Sequence, residues 1–190
     1  MSVTVRRPVL DDVPPADGIL RPALFLDRDG VINVDHGYVH RQEDTEWIPG
    51  IFELVALARG SGYVPVVVTN QAGIARGIYS EERFLDYTRW VHSVFRTHGV
   101  SLAATYYCPH HPTAGKGAYM LRCGCRKPAP GMLLAAASDL GLDLAKSALL
   151  GDKDSDLEAG RAAGVPRTFK MGHGSAPFSE VLPLLQHTKR

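Results

Sequence analysis

The chain has 190 residues, the length of one domain of ordinary size, with 45% hydrophobic and 22% charged residues, as in folded soluble proteins and unlike disordered ones. Lys and Arg total 21 and Asp and Glu 20, a formal charge of +1, which lacks the basic excess of a protein that coats nucleic acid or a membrane surface. The apolar stretches, such as Val64–Val68 and Met132–Ala137, fall far short of the roughly 20 residues of a bilayer span.

Residues 1–20 hold Arg6, Arg7, Asp11, Asp12, Pro14 and Pro15 with no apolar core. They read as a partly ordered extension and not as a signal peptide, which leaves 21–190 as a single domain. Ala23–Leu26 is a short apolar run that stops at Asp27-Arg28-Asp29-Gly30, predicting a buried strand that runs into a turn. Ile51, Leu54, Val55 and Ala58 share a helical spacing, predicting a helix over Ile51–Arg59 closed by Gly60 and Gly62. Tyr63–Thr69, β-branched and apolar on both faces, predicts a central strand of a parallel sheet. Ser80 with Glu81 and Glu82 starts a helix whose buried stripe is Phe84, Tyr87, Val91, Val94 and Phe95. A strand near Thr105–Cys108, a helix at Gly131–Leu140 and a strand at Ala148–Gly151 follow. A helix from near Ser155, a strand over Val165–Phe169 and a helix over Phe178–Gln186 complete the chain. The alternation predicts an α/β fold, a doubly wound Rossmann-like parallel sheet. Two connections, 30–49 and 109–130, are about 20 residues each, where roughly 2–6 is usual, so each is expected to be functional or held by something. Both leave the carboxyl ends of predicted strands, the edge at which open α/β sheets bind ligands.

That edge collects chemistry. Asp27 and Asp29 end the first strand; alone, they would read as turn or cap carboxylates. They are not alone, because Asp152, Asp154 and Asp156 follow another strand, and Thr69, Asn70 and Gln71 end a third. Arg126 and Lys127 add two cations in the second long loop. Carboxylates for Mg²⁺, a spare carboxylate, hydroxyl and amide donors and fixed cations are the set that phosphoryl transfer needs. Cys108, His110, Cys123 and Cys125 form a C-x-H … C-x-C pattern suited to a tetrahedral structural Zn²⁺, with His111 a competing ligand. An odd total of three cysteines argues against a disulfide framework and for a reducing, cytoplasmic setting.

Asp27-x-Asp29-Gly30, Thr69-Asn70, Lys127 and Gly151-Asp152 resemble the four ordered motifs of the haloacid dehalogenase (HAD) superfamily of phosphatases. Within it, residues 27–40, Val67–Gly77, Tyr106–Pro112 and Cys123–Pro128 are similar to the heptose 1,7-bisphosphate 7-phosphatase family. The resemblance implies the HAD-type sheet without a large cap domain, with the zinc-stapled loop at its edge. It implies a Mg²⁺-dependent removal of the 7-phosphate through an aspartyl-phosphate, in the synthesis of nucleotide-activated heptose for lipopolysaccharide core or surface glycans. Asp27 would be the nucleophile and Asp29 the general acid and then base. Mg²⁺ would be held by Asp27, Asp152 and the backbone carbonyl of Asp29, and the phosphoryl group by Thr69, Asn70 and Lys127. Lys153 would position Asp27 and the phosphate, with Asp156 behind it, and the family pattern selects His110 as the zinc ligand. Arg28, Asp35, His36, Gly37, Tyr38, Gln71 and Arg126 would meet the substrate, Arg126 taking the phosphate that is not cleaved.

The expected partner is a small sugar bisphosphate, not nucleic acid or a membrane, acting on a monomer. Histidinol-phosphate phosphatases share the same motifs but fit Val34–His40 and Gly73–Gly77 less well. A non-catalytic, zinc-stapled phosphate-binding module is the alternative of another class, and intact Asp27 and Asp29 argue against it.

Overall fold

The computed structural model describes residue 6, residues 8–172 and residues 178, 181 and 183. In chain order its elements are strand β1 (Val9–Leu10), β2 (Ala23–Leu26), helix α1 (Ile51–Gly60), β3 (Val64–Asn70) and α2 (Ala72–Arg76). Next come α3 (Glu81–Thr97), β4 (Ala104–Cys108), α4 (Gly131–Leu140), β5 (Ala148–Gly151), α5 (Asp154–Ala162) and β6 (Arg167–Lys170). The strands lie in the order β1-β4-β3-β2-β5-β6. From β4 to β6 all neighbours are parallel, with Leu24 facing Pro65 on one side and Ala148 on the other.

Alternation along these strands builds two cores. Leu24, Leu26, Val67 and Leu150 point to one face, where Ile51, Leu54 and Val55 of α1 and Tyr87, Val91 and Phe95 of α3 cover them. Ala23, Phe25, Val66, Val68 and Leu149 point to the other, against Met132, Leu133 and Ala136 of α4 and Ala159 of α5. A period of two in the strands and of 3.6 in the helices brings these sets together. The chain winds outward from β2 to β3 and β4, then returns to place β5 on the other flank of β2. That reversal opens a crevice at the carboxyl ends of β2, β3 and β5.

The expected parallel sheet is present from β4 to β6, and β1 makes it mixed by adding one antiparallel edge strand. Val9 and Leu10, placed by the sequence in an extension, pair antiparallel with Thr105 and Ala104. The two following aspartates hold this edge: Asp11 pairs with Arg96 and Asp12 with Arg59 at 2.5 Å. The five-residue α2 was not anticipated, and β6 runs Arg167–Lys170 where a strand over Val165–Phe169 was expected. The helix expected over Phe178–Gln186 lies outside the described residues, apart from 178, 181 and 183. Among the described residues no helix is long and apolar enough to cross a membrane.

Candidate active site

β2 ends in the central crevice and delivers Asp27 there, its backbone N–H donating to the Leu150 carbonyl of β5 at 2.9 Å. Asp27 Oδ1 accepts a hydrogen bond from Lys127 Nζ at 2.8 Å. Lys127 is buried, and its ammonium also donates to the Val68 carbonyl at 2.7 Å and pairs with Asp156 Oδ1 at 2.6 Å. Burial opposes the charge, yet Asp27 and Asp156 hold Lys127 above the ordinary lysine pKa. With all three donors engaged, Lys127 is a fixed cation beside Asp27. Asn70, at the end of β3, clamps the same loop: its side chain donates to the Lys127 carbonyl (3.0 Å) and accepts from the Lys127 N–H (3.1 Å). Asn70 therefore sets the backbone from which Lys127 projects.

Asp29 lines the same cleft, a cavity of about 560 Å³. Its carboxylate accepts from Asn33 Nδ2 at 3.1 Å and from Gln71 Nε2 at 3.3 Å, as well as from Arg28. Gln71 Nε2 also donates to Thr69 Oγ1 at 2.8 Å, and its carbonyl accepts from Tyr79 at 2.6 Å. Tyr79 lines the cleft and stacks on His40, with ring centroids 4.5 Å apart. A Cβ on Gly73 would lie 2.2 Å from the Tyr79 ring, so only glycine lets that ring reach Gln71.

A carboxylate cluster forms beside Asp27. Asp27, Asp152 and Asp156 place ligand oxygens within 4.8 Å of one another. Asp152 Oδ1 is buried and has no hydrogen-bond partner, and burial together with the Asp27 charge pushes the Asp152 carboxyl up to about 6. Gly30 runs directly against it at φ +88°, where a Cβ would lie 2.6 Å from Asp152 Oδ2. An unpartnered buried oxygen among like charges fits a divalent cation, which would relieve both defects. Asp156 is committed elsewhere, to Lys127 and, through Oδ2, to the Lys153 N–H at 3.0 Å. Lys153 Nζ donates to Asp35 Oδ2 at 3.2 Å across the cleft.

Cys108, His110, Cys123 and Cys125 converge at the end of β4 and across the second long loop. Their Sγ···Sγ separations are 3.5, 3.3 and 3.0 Å, and His110 Nδ1 lies 3.7 Å from Cys108 and 3.6 Å from Cys125. These exceed a disulfide bond and approach the ~3.8 Å between sulfurs around a tetrahedral Zn²⁺. The shared hydrogen bonds hold the Cys125 thiol below the usual value and push Cys108 up. His111 lies outside the cluster, its Nδ1 accepting instead from the Thr113 and Ala114 N–H groups. Arg126 extends from this loop to the cleft, with Nη1 donating to the His110 carbonyl at 3.0 Å.

Asp35, Gly37, Tyr38, Asn70, Gln71, Arg126, Lys127 and Lys153 all line the cleft with Asp27 and Asp29. Three residues expected to contact substrate do not line it. Thr69 is buried beneath Gln71. His36 faces the adjoining groove and pairs with Glu46 at 3.0 Å. Arg28 is only 2% exposed, turned into the protein and paired with Asp29, because its long side chain leaves the strand end toward α3. Tyr79 and Ser155 also line the cleft, a place not expected for either because neither belongs to a functional motif.

A HAD-hydrolase-like family model matches residues 124–169. A D-glycero-β-D-manno-heptose-1,7-bisphosphate 7-phosphatase from Vibrio cholerae is 54% identical over 76% of this chain and 78% of its own. The α-anomer counterpart from Burkholderia mallei is 53% identical over 77% of this chain and 78% of its own. Among solved structures, a heptose 1,7-bisphosphate phosphatase from B. bronchiseptica, complexed with magnesium and phosphate, superposes with a TM-score of 0.69. It is 31% identical over 79% of this chain and 80% of that one. A candidate HAD-like phosphatase from Mesorhizobium loti reaches a TM-score of 0.86 at 33% identity, over 96% of this chain and 94% of that one.

Proposed function

Since the chain belongs to the heptose 1,7-bisphosphate 7-phosphatase family of HAD-type hydrolases, we propose that its cleft removes the 7-phosphate of D-glycero-D-manno-heptose 1,7-bisphosphate. The observation that carries this reading is the meeting of Asp27, Asp29, Lys127 and Asp152 at one sheet edge, in a chain so similar to enzymes of that name. Asp27 Oδ1 is held by Lys127, which leaves Oδ2 to attack phosphorus. As the P–O bond breaks, Asp29 gives its proton to the departing sugar oxygen. Asp29 then takes a proton from water, the resulting hydroxide attacks phosphorus, and phosphate leaves with Asp27 restored. Lys127 bears the charge that builds on the phosphoryl oxygens, Asn70 keeps Lys127 in place, and Thr69 supports Gln71 from beneath. Asp27 and Asp152, with the Asp29 carbonyl, would hold magnesium, and Asp156 anchors Lys127 and Lys153 behind them. When bound, the metal supplies positive charge to the phosphoryl oxygens.

Asp35, Gly37, Tyr38 and Gln71 contact the sugar, and Arg126 takes the phosphate that stays, by its fork geometry. The Cys108, His110, Cys123 and Cys125 cluster holds a structural zinc that fixes Arg126 and Lys127. The enzyme acts as a monomer in the cytoplasm, where a reducing medium keeps those thiols free for metal, and supplies heptose for surface glycans. Asp27→Asn tests the scheme: phosphate release from the bisphosphate in Mg²⁺ falls by at least about 10³-fold, with the circular dichroism unchanged. Turnover near the wild-type rate in that variant would refute it.

A further inference from the structure

Arg28 lies between the two residues of the catalytic motif and the substrate loop, yet no part of it lines the cleft. A guanidinium taken out of water keeps its charge only where partners compensate, so its partners define its task. Nε donates to Asp29 Oδ1 at 3.1 Å, and Nη2 reaches both Asp29 oxygens at 2.8 Å. Nη2 also donates to the Val39 carbonyl of the first long loop at 2.6 Å. Two rings of α3 hold the group from the side: its Cζ lies 5.1 Å from the centre of Tyr87 and 5.8 Å from that of Phe84. The guanidinium is thus fixed by the loop and by α3, and it transmits that fixity to one carboxylate.

The bonds on that carboxylate are unequal. Oδ1 accepts from Arg28 Nε, Arg28 Nη2 and Asn33, whereas Oδ2 accepts from Nη2 and, at 3.3 Å, from Gln71. Oδ2 is therefore the oxygen left to carry the proton. We infer that Arg28 is a positioning residue for proton transfer: its fork sets the plane of the Asp29 carboxylate so that Oδ2 faces the leaving oxygen. The inference rests on the acid–base reading of Asp29 given above. A lysine would preserve the charge but offers a point cation without a planar fork, so charge and orientation separate in one substitution.

A double-mutant cycle of Arg28→Lys with Asp29→Asn on the magnesium-loaded protein, assayed with heptose 1,7-bisphosphate, tests this. Asp29→Asn alone lowers kcat by about 10²-fold or more. Arg28→Lys lowers kcat by about tenfold in the native background with KM changed less than about threefold, and by less than about twofold once Asp29 is Asn. Tyr87→Leu, which withdraws one ring and leaves Arg28 in place, gives a smaller loss with the same non-additivity and serves if Arg28→Lys folds poorly. Equal losses in both backgrounds, a loss confined to KM, or no loss would overturn the role of Arg28 while leaving Asp29 as acid and base. Wild-type kcat in Asp29→Asn would instead remove the reading on which the inference stands.

Discussion

Two long loops border the cleft and are held by opposite means. The 30–49 loop buries its own side chains: Val31, Ile32, Asn33 and Val39 are inaccessible, and Trp47 packs against Phe52, Trp90 and Phe95. Backbone bonds close it on itself, from the Ile48 N–H to the Ile32 carbonyl and from the Val34 N–H to the Glu46 carbonyl. The 109–130 loop has no buried residue between His110 and Cys125. What orders it is the Cys and His cluster, helped by the Tyr119 hydroxyl donating to Glu81 at 2.7 Å. A loop with apolar content can fold by burial, while one without it needs ligation. The first loop brings Asp35, Gly37 and Tyr38 to the cleft and the second brings Arg126 and Lys127, so the two halves of the cleft should respond to different insults.

Metal removal should separate them most strongly, since a structural zinc at the proposed site would contribute on the order of 10 kcal/mol to the segment it orders. Stripping zinc with a chelator, or making Cys125→Ser, is expected to speed hydrogen exchange across 109–127 and to abolish most phosphatase activity, while 30–49 keeps its protection. Equal loosening of both loops would show that the Cys and His cluster is not what distinguishes the second loop. The converse change is Ile32→Ala, which should cost about 2–4 kcal/mol in denaturant unfolding with zinc still bound stoichiometrically. Loss of zinc in that variant would show that the loops are not independent.

The smallest expected effect lies at the sheet edge, away from both loops, and serves as a control. His92 is buried against Thr105 and Asp11, with Arg96 nearby, and burial holds its imidazole below the usual value against the pull of Asp11. The unfolded chain then binds more protons than the folded one as pH falls below about 6.5, so this stabilisation is present above that pH and lost with acid. Zinc-free protein should lose stability as pH falls below about 6.5, and His92→Gln should flatten that slope. An unchanged slope in the variant would assign it to another group.

The parts of the molecule that could be read from sequence are those whose cause is local. The β3 run over Val64–Asn70 and the stripe on α3 are long enough for their periods to show, and Asp27, Asp152 and Cys125 fall at spacings that only a site explains. Strand β1 is two residues long and exists because β4 offers it an edge, which no local pattern encodes. Arg28 stands between Asp27 and Asp29, but the direction of its side chain is decided by α3, more than 50 residues away. Tyr79 likewise enters the cleft through tertiary contact, and the bare Gly73 is its only trace in the sequence. What failed to show was orientation more than identity.

In the proposed reaction the cleft takes one phosphate, at position 7, from a sugar carrying two. Phosphorus NMR on the purified, magnesium-loaded protein with D-glycero-D-manno-heptose 1,7-bisphosphate tests it directly. One equivalent of inorganic phosphate and a product that retains its anomeric phosphate signal are expected. Loss of the anomeric signal, or no phosphate release, would contradict it.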